Sequence, residues 1–385
     1  MSQPPTERAL LSALRTRLQG QGRRGSARRG PVRVGIGDDC AVLRVPSGHE
    51  LLVTTDMSLE TIHFHRDWHP PESVGHRCLA RGLSDLAAMG ATPLAAFLSL
   101  ALPPELLIQQ PKAASWQQRF LNGMLSLADK NSVVLAGGDT AQSPADMGTR
   151  IGNIRTGNFG SRRGAPAGSG LALADIILVG SAPQGRALLR STARPGDRIY
   201  VTGSLGGSAA ELALLQKNPR RFARLLSTPA LAREKNVAHV AAHPHLYPQP
   251  RLAVGRALLA RRLATAAIDV SDGLSTDLDH LCEESGLSAV MEAAQLPLHP
   301  LAAAQRDGLD LALHGGEDYE LLFTAAATTR LPRSIAGVPI TCIGRMQARQ
   351  KKGMPRLQIF RTGARLPTPL HAAGWEHFRG NGDGR

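Results

Sequence analysis

Ala266-Ala-Ile268-Asp269-Val-Ser271-Asp272-Gly273 is a short apolar run that ends in two acids around a hydroxyl. A run of that length, closed by a small polar residue and a glycine, reads as a buried strand leaving its sheet. Three other stretches share the shape. Val34-Gly-Ile-Gly37 leads into Asp38-Asp39-Cys40, Leu51-Leu-Val53 into Thr54-Thr55-Asp56, and Val133-Val-Leu-Ala136 into Gly137-Gly138-Asp139-Thr140. The repetition predicts strands whose tips gather carboxylates at one place. Carboxylates gathered on a basic protein need a counter-charge, and divalent metal held for a phosphate substrate is the simplest one. Each stretch alone has a plainer reading. Asp38-Asp39 reads as a turn, the Gly-Gly-Asp as another, and Asp269 to Asp272 as the cap of a helix from Leu274.

Working outward, the pattern predicts an α/β protein of two successive domains, which fits 385 residues. Strands are expected at Val32–Ile36, Ala41–Val45, Leu51–Thr55, about Leu94–Leu102, Val133–Ala136 and Ile176–Val179, with helices at Glu72–Met89 and Trp116–Asp129. After a boundary near Arg186–Pro195, the second half offers strands at Arg198–Thr202, Ala266–Val270, Glu320–Thr324 and Val338–Ile343. Its helices are Ser208–Leu215, Pro250–Leu263 and Leu274–Glu284. The expected division is a helix (Thr6–Leu18) and Arg/Gly-rich arm over 1–31, an N-terminal domain over 32–182, a C-terminal domain over 190–365 and a tail over 366–385. Residues 144–172, rich in Gly, Ala, Arg and Ser, read as a loop insertion.

Lys and Arg outnumber Asp and Glu by 45 − 31 = 14. Such a balance favours anionic partners. Much of the excess sits in the arm, which reads as a solvated basic tail. A nucleic-acid binder is the reading from another class. Aromatics are only 4% of the chain, and no basic-aromatic interleaving or zinc-finger spacing supports it. Four scattered cysteines, Cys40, Cys78, Cys282 and Cys342, fit a reduced cytoplasm better than a disulfide framework. The N-terminus shows no signal-peptide pattern. Leu86 to Pro104 is uncharged, but Gly90, Pro93, Pro103 and Pro104 break it, which argues against a membrane span.

The Walker loop, the kinase H-R-D and D-F-G set and H-E-x-x-H are all absent. ATP, if bound, is therefore held by metal-bridged carboxylates and backbone. Ser84-Asp85 lies late in an apolar helix, where a buried acid requires a partner. His63 follows Asp56 closely, and His314-Gly-Gly-Glu317-Asp318-Tyr319-Glu320 is an acidic loop before a strand.

Taken together, nine segments in order resemble the thiamine-monophosphate kinase family, within the superfamily of aminoimidazole ribonucleotide and selenophosphate synthetases. They are Gly35–Leu43, Thr54–Phe64, Leu83–Ala91, Ala136–Thr140, Gly185–Arg190, Pro195–Gly203, Pro248–Arg251, Ile268–Leu274 and Gly315–Leu321. The last, Gly-Gly-Glu-Asp-Tyr-Glu-Leu, favours this family over its relatives. The resemblance implies that family's two-domain α/β fold. It also implies direct in-line transfer of phosphate from ATP to thiamine monophosphate, several Mg²⁺ ions and a homodimer. By motif match, Asp39, Thr54, Thr55, Asp56, Asp85, Asp139, Asp269 and Asp272 would bind metal, with Asp56 and Asp139 most critical. Gly138, Asp139, Arg190 and Ser271 would hold ATP. His63, Glu317 and Trp375 would contact the second substrate. Gly82 stands where the family usually has asparagine, and Lys130 near an expected tyrosine. The nearest enzyme alternative is another ATP-dependent member of the superfamily acting on a different phosphorylated substrate.

Overall fold

The structure is a computed structural model that describes Thr16 and residues 30–108, 114–144, 170–218, 243–349 and 355–376. Nearly all of the expected N-terminal helix and arm, and most of 144–172, lie outside the described residues. The chain divides into two compact units. The first comprises the described parts of Met1–Arg44, Thr55–Leu79 and Leu94–Leu178; the second comprises Val45–Thr54, Ala80–Pro93 and the described parts of Val179–Arg385.

The first half of the chain runs β1 (Val32–Val34), β2 (Val42–Leu43), β3 (His49–Leu59), α1 (Pro71–Ala88), β4 (Thr92–Leu102), α2 (Trp116–Lys130), β5 (Val134–Gln142) and β6 (Leu173–Pro183). β1 and β2 form a small antiparallel pair, and the other strands make a four-stranded sheet in the order β3-β6-β4-β5. α2 begins in a capping box. The Ser115 hydroxyl accepts from the Gln118 backbone N–H, and the Gln118 side chain accepts from the Ser115 N–H, 3.2 Å each. Its apolar stripe buries Phe120, Met124, Leu125 and Leu127. α1 and α2 cross on glycines. A Cβ at Gly75 would strike the Phe120 carbonyl, and one at Gly123 the Glu72 carbonyl. Arg119 then clamps Glu72 through two hydrogen bonds of 2.7 and 2.8 Å.

Two expected strand ends are corrected. Thr54-Thr55-Asp56 lies inside β3, which continues to Leu59, and Gly137 to Thr140 lies inside β5. The strands continue because their partners do. β5 pairs in parallel with β4 from Ala95↔Val134 through Ser99↔Asp139 to Leu102↔Gln142. The glycines there serve close approach, since a Cβ at Gly138 would collide with the Leu98 carbonyl.

The second half continues with β7 (Arg198–Thr202), α3 (Gly207–Lys217), α4 (Leu252–Ala260), β8 (Ala266–Asp269), α5 (Leu274–Ser285), β9 (Leu287–Glu292), α6 (Pro300–Ala303), α7 (Gly308–His314), β10 (Leu321–Ala325), β11 (Ser334–Ile335), β12 (Val338–Ala348), β13 (Leu357–Phe360) and β14 (Thr368–Leu370). One mixed sheet takes the order β14-β13-β9-β12-β7-β10-β8, with β11 paired to β12. One face packs Ile199, Val201, Ile268, Leu322, Ile343 and Met346 with Leu274, Leu278 and Leu281 of α5 in a closed apolar core. The sequence pattern does not anticipate β9, β11, β13, β14, α6 and α7. These elements are short, and β9, β13 and β14 take their strand state from pairing.

Gly123→Ala should lower stability by about 1–3 kcal/mol, because the colliding atom is backbone and cannot rotate away. Urea unfolding monitored by tryptophan fluorescence, with an unchanged slope, would read this as loss of native packing.

Candidate active site

In the second unit the loop after β8 organises the site. β8 is buried along its whole length and ends at Asp269, one residue before the expected Val270. Gly273 precedes α5 with φ 114° and has no side chain to cap the helix. Asp277, one turn into α5, supplies the acceptor instead. Its Oδ2 takes the backbone N–H groups of Ser271, Asp272 and Gly273 at 3.0, 3.1 and 3.1 Å. Burial pushes the Asp277 carboxyl well above the usual carboxylate range, and the charges of Asp269 and Asp272 push it further.

Several other sequence-predicted residues reach this loop. Ser84 donates to Asp269 Oδ2 at 2.7 Å, and Asp85, the next residue of α1, accepts from the Thr54 hydroxyl. Burial raises the Asp85 pKa against the opposing effects of the Thr54 hydrogen bond and the Arg190 and Arg81 charges. Glu317 donates its N–H to the Ser271 carbonyl at 2.7 Å, and Trp375 donates its N–H to the Asp272 carbonyl at 2.9 Å. The second unit therefore brings together Thr54, Asp85, Arg190, Asp269, Ser271, Asp272, Glu317 and Trp375. The Trp375 indole stays half exposed.

The 315–320 loop is held from below. Glu317 and Tyr319 adopt φ of 57° and 50°, unusual for residues with side chains. Asp318 between them points inward and accepts from the N–H groups of Gly206 and Ser208 at 2.7 and 3.2 Å, at the start of α3. Glu320 takes a bidentate pair from Arg251, 2.7 and 2.5 Å, and the Thr202 hydroxyl at 2.6 Å. Sequence reasoning misses Asp277, Asp318 and the Arg251–Glu320–Thr202 network as supports of the site. The glycine at the start of α5 is the available signal for Asp277, because a helix start without a capping side chain must find its acceptor elsewhere.

In the first unit Asp39 is exposed in a bend, its N–H bonded to Asp38 Oδ1 at 3.0 Å. A Cβ at Gly35 would lie 3.6 Å from the Ala136 carbonyl, which puts this segment against β5. Gly138 and Asp139 are exposed on β5, and Asp56 is half-buried on β3. Thr55 is turned to Asp175 at 2.9 Å. His63 Nδ1 accepts from the Leu59 N–H at 3.0 Å, and its carbonyl accepts from Arg77.

Hard oxygen donors dominate both sets, which is the donor chemistry Mg²⁺ takes. Asp272, Asp277 and His280 also offer ligand atoms within 4.8 Å of one another.

The AIR synthase related protein N-terminal domain matches residues 37–154 and the corresponding C-terminal domain matches 194–353. The fold and this arrangement of acids thus define a member of the AIR synthase related proteins. Thiamine-monophosphate kinase of Salmonella typhimurium is 36% identical over 354 residues, covering 90% of this chain and 92% of the relative. Within the larger class, the chain belongs to the thiamine-monophosphate kinase family. A solved thiamine-monophosphate kinase from Stenotrophomonas maltophilia is 32% identical, with a TM-score of 0.68 and coverage of 90% and 95%. AaThiL, solved in complex with AMPPCP and TMP, is 25% identical, with a TM-score of 0.64 and coverage of 94% and 96%.

Burial holds the Asp318 carboxyl up at about 7 against an ordinary 3.8, and the Gly206 and Ser208 N–H groups only partly offset this. An acid raised on folding binds its proton more tightly in the native chain. Its contribution is therefore full below about pH 4 and is lost as pH rises through 7. Chemical denaturation should show this loss, at up to about 1.4 kcal/mol per pH unit, and Asp318→Asn should flatten it.

Proposed function

We propose that this chain transfers the γ-phosphate of ATP to thiamine monophosphate, giving ADP and thiamine diphosphate. One observation carries the reading beside the family membership: Ser84, Asp269, Ser271, Asp272, Glu317 and Trp375 belong to one hydrogen-bonded set around a single loop, and Asp85 is the next residue after Ser84 on α1. ATP carries about four negative charges and a phosphate monoester nearly two. Bare carboxylates would repel both, since like charges ~4 Å apart cost ~4 kcal/mol at a surface dielectric. Mg²⁺ would be held by Asp39, Thr54, Thr55, Asp56, Asp85, Asp139, Asp269 and Asp272, and it supplies charge neutralisation and alignment of phosphate oxygens.

The chain's own groups do the rest. Gly138 lets backbone approach a phosphate, Arg190 offers a guanidinium, and the Ser271 hydroxyl lies on the loop that Asp277 holds. Glu317 and His63 present polar atoms, and Trp375 an aromatic face, to the second substrate. The attacking group is the acceptor's own phosphate oxygen, already mostly ionised at neutral pH. Neither a protein nucleophile nor a strong general base is required.

A coupled assay for thiamine diphosphate should show turnover with Mg²⁺ and none with excess chelator. Asp56→Asn and Asp139→Asn should each lower kcat by at least about a hundredfold while leaving the circular dichroism spectrum unchanged. Near-normal rates in both variants would remove these residues from the metal set.

The molecule works as a homodimer in this reading. β3 is the last strand of its sheet and exposes Leu51, Val53 and Met57 at alternate positions, at 49, 65 and 53%. A row of large apolar side chains on an outer strand invites a second copy. Val53→Glu should shift the sedimenting species from dimer to monomer; a monomeric wild-type chain would refute the pairing. No helix among the described residues is long and apolar enough to cross a membrane. The four unpaired cysteines and the nucleotide substrate fit a cytoplasmic enzyme.

A further inference from the structure

The second unit has a cavity of about 520 Å³ that uses none of the residues assigned above. Arg198 and Tyr200 of β7, Arg330 and Arg333 of the β10–β12 connection, and Cys342 of β12 line it with two threonines and apolar neighbours; no Asp or Glu does. Register places a further cation at its edge. Arg198 pairs directly with Arg345 across β7 and β12, just as Tyr200 pairs with Cys342. Like charges directly opposite one another in a sheet repel. None of these four arginines forms an ion pair with a carboxylate among the described residues, whereas Arg251 and Arg356 of the same unit are matched to Glu320 and Asp279.

The walls are fixed rather than loose. The Tyr200 ring stacks on Phe323 with centroids 5.4 Å apart. The Arg333 carbonyl accepts from the Ile340 N–H at 3.0 Å, and β11 pairs with β12 on either side of the turn. The Tyr200 hydroxyl shares a hydrogen bond with Arg198, and burial, with Cys342 beside it, holds its pKa above the ordinary value. It therefore remains a protonated donor at neutral pH. The position also separates the cavity from the loop after β8. On β10, Leu321 lies opposite Asp269 while Ala325 lies opposite Arg198. Four residues of strand set the two ends roughly 13 Å apart.

We propose that this cavity is a second anion site, taking a small molecule that carries a diphosphate or polyphosphate group. Several guanidinium groups without carboxylate partners among the described residues, with a tyrosine hydroxyl, form a donor set suited to adjacent phosphoryl groups, and the volume leaves room for an attached organic part.

The probe is sodium pyrophosphate, titrated calorimetrically into the full chain at constant ionic strength with excess chelator, so that metal-dependent binding at the carboxylate site is suppressed. Wild type should bind one pyrophosphate per chain. Arg330→Ser/Arg333→Ser should bind at least about tenfold more weakly. Its thermal midpoint and its basal turnover of thiamine monophosphate should not change, because both positions are exposed and outside the catalytic set. Arg330→Lys/Arg333→Lys, which keeps the charge, should recover part of the affinity. Equal affinity in wild type and the serine variant, or no saturable heat in wild type, would overturn the proposal. So would a single-stranded oligonucleotide that binds these arginines more tightly than pyrophosphate does.

Discussion

Asp277 is a buried carboxylate whose Oδ2 holds three successive backbone N–H groups, and the shape of the loop after β8 depends on it. That loop lacks regular backbone pairing, and Gly273 supplies no cap. Without an acceptor, the three N–H groups would be stranded next to a core strand. Once they are satisfied, the loop's own carbonyls are free to receive others. The Ser271 carbonyl takes the Glu317 N–H and the Asp272 carbonyl takes the Trp375 N–H. A local capping problem is thus the means by which residues far downstream in the chain reach one place.

The same arrangement concentrates negative charge. Asp269 is buried, Asp277 is buried beside it, and burial raises the pKa of Asp85. A protein under no functional demand would avoid such a grouping, because taking an uncompensated carboxylate out of water costs several kcal/mol. Hydroxyl and backbone donors relieve part of it: Ser84 to Asp269, Thr54 to Asp85 and the loop to Asp277. The remainder shows as the raised pKa of Asp85 and Asp277, and the proposed metal ions would relieve it.

Sequence and structure part company at identifiable points. β8 is legible because all four of its residues are apolar or terminal, and Asp269 falls at its end. The lengths of β3 and β5 are not, because Thr-Thr and Gly-Gly have turn character while the state of a strand residue is decided by its partner. β4 carries the pairing of β5 past both glycines to Gln142. The residues proposed to bear chemistry stand out because acids beside glycines and hydroxyls are unusual in apolar surroundings. The residues that support them do not. Asp277 reads like any acid in the first turn of a helix, and Asp318 like any acid in a polar loop. Only the fold shows that their carboxylates point inward to backbone N–H groups.

Asp318 shows why the acidic loop tolerates strain. Glu317 and Tyr319, on either side of it, both have positive φ, which residues with side chains adopt at a cost of about 1–3 kcal/mol each. Each is tied down by an N–H bond to the β8 segment, Glu317 to Ser271 and Tyr319 to Val270, and Asp318 is tied to the start of α3. Glu320 completes the set by anchoring to Arg251 and Thr202. Four consecutive residues thus alternate between backbone bonds to the β8 segment and side-chain bonds to neighbouring elements. The strain persists because the surroundings over-determine it, and its result is that the Glu317 carboxylate lies 3.5 Å from the ring of the buried His245 and 3.5 Å from the Tyr319 hydroxyl.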